Sequence, residues 1–120
     1  MKNLQFIGKL MFVVPMAYFG FGHLSNTNEM ASLVPDFLPM PVLWVFITGM
    51  GLVLSAISIV IGIKARLAAQ LLGFMLLLFA VMIHLPAGLQ GNHSELFEFF
   101  ENFALAGAAL YISSQLKNNH

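Results

Sequence analysis

His23, His84, Glu101 and Asn102 are the residues of this chain whose types could do chemistry together. Two imidazoles and a carboxylate can exchange protons or hydrogen bonds with a bound molecule, and a carboxamide can orient it. Each lies at the end of a long apolar run or just inside one. A polar group there is costly unless it faces protein or water. His84 shares a stripe with Ala69, Gly73 and Ala80, at helical spacings of three to four and their multiples. Small residues let a second helix approach closely, so His84 is expected to point into a helix bundle. Glu101 shares a stripe with Ala104 and Ala108 and is expected at matching depth, on the order of one turn below the interface. A His84–Glu101 pair would satisfy both groups. Glu95 and Glu98 are expected to face headgroups and water, and His93 to be a solvated loop residue.

This constellation has two readings. It is a polar lock that pins the helices at one rim, or a pocket that applies the same groups to a ligand. Two histidines on different helices could also be axial haem ligands, but nothing else in the sequence supports haem. Zinc would need a better-defined ligand set.

The elements that must hold these residues are four apolar spans, at about residues 4–22, 42–63, 67–88 and 96–113. The third, with about 20 nearly unbroken apolar residues, is long enough to cross a hydrocarbon core of ~30 Å. The first carries Pro15 in its middle and no small-residue cleavage pattern after it, so it reads as a retained span rather than a signal peptide. Residues 24–39 are the longest polar stretch, with a short helical turn expected at residues 28–31. Within it, residues 34–39 (VPDFLP) are apolar enough to rest on the rim and roof the space between His23 and His84. Asp36 in that segment and Trp44 at the start of the second span join the candidate ligand-binding residues. Pro41 suits the first turn of the second span. Gly51, Ser55, Ser58 and Gly62 give that span a small-residue face, for packing within the bundle or against a second copy. The sequon Asn92-His93-Ser94 falls in the last polar turn, although so short a motif arises often by chance.

Composition agrees with a membrane protein. Of 120 residues, 59% are hydrophobic and only 8% charged, and the mean hydropathy is +0.87. The length suits one all-α domain. There is no basic cluster for nucleic acid. Cysteine is absent, which excludes disulfides and Cys-ligated metal centres. Lys2, Lys9, Lys64, Arg66 and Lys117 fall at the N-terminus, the second connection and the C-terminus. Glu29, Asp36, Glu95, Glu98 and Glu101 fall at the first and third connections. Four spans sort the two sets onto opposite sides, and the positive-inside rule makes both termini cytoplasmic.

Phe21-Gly22-His23, the segment at residues 34–39, Thr48-Gly49, His84 and the stretch Asn102 to Leu110 together resemble the DoxX family of small bacterial membrane proteins. The resemblance covers nearly the whole chain and implies a four-span bundle in the inner membrane. The family takes its name from a subunit of a thiosulfate:quinone oxidoreductase, and other members are linked to membrane redox and stress complexes. Members often carry an acidic residue just after the Thr-Gly of span two, where this chain has Met50-Gly51-Leu52. His23, His84 and Asn102 are the residues that carry over.

The expected architecture is therefore an integral membrane four-helix bundle, up-down-up-down, with the candidate site at the outer pole. The expected function is that of a small subunit of a membrane redox system that binds a quinone-like or other amphiphilic molecule there, beside a membrane or outer-face redox subunit. The alternative is a non-catalytic scaffold whose polar pole holds the bundle and docks a partner. No catalytic residue is assigned.

Overall fold

The structure is a computed structural model and describes residues 2–116. Lys117, used in the charge reading, and the polar tail after it lie outside the described residues. Those described are mostly helical, with no strand among them. Helix α1 spans Lys2–Ser25 and continues through Pro15, although Pro15 offers no N–H to the carbonyl four residues back. A short helix α2, Thr27–Met30, and one 3-10 turn, Ala31–Leu33, come next, where the sequence predicts a helical turn. Helix α3 is Pro41–Ile61, with Pro41 in its first turn as expected. Gly62 ends it at φ 80°, a left-handed conformation natural to glycine, and its N–H donates to Ser58 O over 2.9 Å.

Helix α4, Ala65–Phe79, runs through a π-turn, Ala80–His84, into α5, Leu85–Leu89. The Leu85 N–H reaches back five residues to Ala80 O. Pro86 explains the wide turn: its ring would collide with the Met82 carbonyl in a regular α-helix, and one extra residue per turn relieves the clash. The extra residue also rotates the rest of the helix by ~100° about its axis.

Helix α6 is His93–Gln115 and begins earlier than the predicted span. Asn92 caps it: its Oδ1 accepts the Glu95 N–H at 3.3 Å and the Ser94 hydroxyl at 2.8 Å. The sequon is thus also a helix start.

Three stretches among the described residues are long and apolar enough to cross a membrane: Lys2–Ser25, Pro41–Ile61 and the continuous run Ala65–Leu89. Helix α6, with Glu95, Glu98 and Glu101 in its first half, does not reach that apolarity.

Helix α1 packs along α3 and α4 along α6, with a narrower contact between α3 and α4. All four contribute to one core, in which Met16, Leu52, Ile59, Leu72 and Ala109 are almost fully buried. The small stripe of α4 is as expected: Ala69 and Ala80 are fully buried, and a Cβ at Gly73 would stand 3.2 Å from Ala106 O. The stripe on α3 faces α4 only loosely. Gly51, Ser55 and Ser58 border a groove of about 330 Å³ between the two helices. The tightest approach lies elsewhere, between Gly20 of α1 and Gly49 of α3. A Cβ at Gly20 would stand 2.9 Å from Gly49 O, and one at Gly49 would stand 2.6 Å from the His23 Cβ.

Candidate functional site

The glycine crossing sets the position of His23. With no side chain at Gly49, the last turn of α1 lies directly on α3, and His23 sits half-buried over the crossing. Its Nδ1–H donates to Phe19 O at 2.8 Å, and its ring stacks on Phe79 of α4 with centroids 6.2 Å apart.

The expected His84–Glu101 pair does not form. His84 instead meets Glu95, with Nδ1 2.7 Å from Oε2. Two local features that apolar periodicity does not reveal explain the correction. Capping by Asn92 starts α6 at His93, so Glu101 lies about two turns in, on the order of 12 Å along the axis, well below His84. The π-turn then re-aims His84 at the start of α6. Glu95, expected in the headgroup region, is 30% exposed in its side chain and His84 17%. The spacing Asn92-x-x-Glu95 is the signal that could have located this residue, since it matches a helix-start pattern.

Behind His84 opens a cavity of about 590 Å³. All four long helices and the first connection wall it. Its surface is overwhelmingly apolar, with Phe19, Trp44, Leu52, Leu76 and Phe79 among its residues. His23, Trp44, Thr48, His84, Glu98, Glu101 and Asn102 are the lining residues whose side chains carry polar atoms. The structure therefore gathers five of the six candidate residues, His23, Trp44, His84, Glu101 and Asn102, around one space. Asp36 is exposed and does not line it. Its neighbours Val34, Pro35 and Leu38 do, so the segment covers the cavity while Phe37, 74% exposed, turns outward. Glu98, expected in water and headgroups, also lines the cavity, and so does Thr48. The Asn102 amide donates to Glu98 O at 3.0 Å, and the Thr48 hydroxyl is bonded within its own helix to Trp44 O and Val45 O. Glu98 and Glu101 have no side-chain hydrogen-bond or ion-pair partner among the described residues.

A cavity of this size and polarity fits an amphiphile with an apolar body and a small polar head. The His84–Glu95 pair can do more than bind. An ionised carboxylate only accepts, so the proton of the pair sits on Nδ1, and in the neutral ring Nε2 keeps a free lone pair. No group of three or more His, Asp or Glu side chains among the described residues is arranged to hold a metal ion.

A family model described as DoxX matches residues 4–85. The match includes His23, Trp44, Thr48 and His84 and ends before the acidic start of α6. No curated protein and no solved structure matches the chain.

Proposed function

The chain belongs to the DoxX family of membrane proteins, and on that premise we propose that it is a small subunit of a quinone-linked redox system in the bacterial inner membrane, binding a quinone-like amphiphile in the cavity at its acidic pole. The cavity itself carries this reading: about 590 Å³ of mostly apolar wall, with imidazole, carboxylate and amide groups within it. The decisive experiment is native purification followed by mass spectrometry for retained small molecules and partner subunits. A co-purifying amphiphile is expected, and it should be lost from a folded His23→Gln/His84→Gln protein. Full recovery of that molecule in the double variant would remove the pocket from the function and leave a scaffold held by a polar lock.

In this reading α6 completes a four-span, up-down-up-down bundle, its glutamates turned to the cavity and the outer surface. Lys2, Lys9, Lys64 and Arg66 then mark the cytoplasmic side, and both termini lie there. A cysteine at Asn28, beside the acidic loop, is expected to react with an impermeant reagent added from outside. Labelling only after the membrane is permeabilised would invert the orientation.

A further inference from the structure

The polar groups of the cavity share a bias. The Nδ1–H of His23 is engaged by Phe19 O, the Nδ1–H of His84 by Glu95, and the Thr48 hydroxyl by the backbone of α3. One N–H of Asn102 is engaged by Glu98 O. Glu98 and Glu101 are acceptors when ionised. No Lys or Arg lines the cavity. What remains for a ligand is two imidazole Nε2 lone pairs in the neutral rings, two carboxylates, the hydroxyl and amide oxygens, one amide N–H and the indole N–H of Trp44. Acceptors outnumber donors in the site, and the two N–H donors lie on Trp44 and Asn102.

We infer that the cavity selects a headgroup that donates hydrogen bonds, so that of a quinone couple it holds the reduced, hydroquinone form, with a ligand hydroxyl donating to Nε2 of His84. Glu95 is the positioning residue, because it keeps the proton on Nδ1 and leaves Nε2 as the acceptor. This rests on the quinone-linked reading of the same cavity. A quinone offers only carbonyl oxygens, which can use the two N–H donors but leave Nε2 of His84 and the other acceptors without a partner. The hydroquinone offers two O–H groups. No electron moves in this recognition step.

The test is titration of the purified protein in detergent, without oxygen, with decylhydroquinone, decylquinone, decylhydroquinone dimethyl ether and decyltrimethylammonium. Decylhydroquinone is expected to bind roughly tenfold more tightly than either the quinone or the ether, the difference of about one good hydrogen bond. Folded Glu95→Gln should narrow that preference, since a carboxamide can also donate to Nδ1 and release the other tautomer. Equal or tighter binding of the quinone would overturn the inference and leave the quinone-linked reading standing. Tighter binding of the ammonium, which has no donor hydrogen, would also overturn it by making charge the basis of selection. Absence of binding by both redox forms would remove the quinone-linked reading and the inference together. An unchanged preference in Glu95→Gln would overturn the role given to the pair.

Discussion

Gly20→Ala and Gly22→Ala, two residues apart in α1, are expected to change stability in opposite directions. A Cβ at Gly20 meets Val53 Cγ2 at 2.5 Å, Gly49 O at 2.9 Å and Val53 N at 3.0 Å. Two of those atoms are backbone, so the helices must separate to accept it. Forcing extra volume into a packed contact costs about 1–3 kcal/mol. A Cβ at Gly22 meets nothing within 4 Å. There the helix gains from losing a glycine, by roughly 0.5–1 kcal/mol. Gly49→Ala should resemble Gly20→Ala in stability and add a second effect. Its Cβ would press on the Cβ of His23 at 2.6 Å, so the imidazole must move off Phe79 and ligand retention should fall with it. Thermal unfolding in one detergent checks the set. Equal shifts for Gly20→Ala and Gly22→Ala would mean that the close crossing does not hold α1 to α3.

The crossing also marks what could not be read from the sequence. Gly20 and Gly49 belong to different spans, and no periodicity within one span reveals that two glycines will meet. The regular stripe Gly51-Ser55-Ser58-Gly62 predicts a packing face, yet Gly51, Ser55 and Ser58 border a groove. Small residues permit a close approach without requiring one. Features set by local chemistry were legible. Three apolar runs became long helices, Pro41 opened α3, and the proline-rich segment at residues 34–39 covers the space behind His23 and His84. The collection of His23, His84, Glu101 and Asn102 at one cavity was legible too, because hydrophobic spans leave polar residues few places to go. Partner choice inside the site was not. It depends on depth and rotation at the level of single residues, and both were altered by local devices: the Asn92 cap, which lengthens α6 by a turn, and the π-turn before Pro86. Apolar periodicity is insensitive to shifts of one or two residues, whereas a hydrogen bond is not.

The His84–Glu95 pair should behave as one unit under mutation, and His84 with Glu101 should not. Removing either member of the pair leaves the other polar group half-buried without its partner, at a cost of about 1–3 kcal/mol. The side chains keep 17% and 30% of their exposure, and water in reach of both screens the pair and places the expected loss toward the lower end. His84→Ala and Glu95→Ala should therefore each destabilise the protein by about 1 kcal/mol, and the double variant should lose clearly less than the sum. Glu101→Gln removes no hydrogen bond or ion pair seen among the described residues. It should leave unfolding nearly unchanged and add independently to His84→Ala, within the ~0.3–0.5 kcal/mol typical of uncoupled sites. The two glutamates should then exchange places when ligand retention is measured. Glu101 lines the cavity and Glu95 does not, so Glu101→Gln should change retention at constant stability, whereas Glu95→Ala acts on both through His84. A structural lock alone predicts that retention tracks stability across all these variants. Unfolding and retention measured on the same samples distinguish the two cases. Additive losses for His84 and Glu95 would refute the pair, and retention that merely tracks stability in Glu101→Gln would refute a ligand role for the deeper carboxylate.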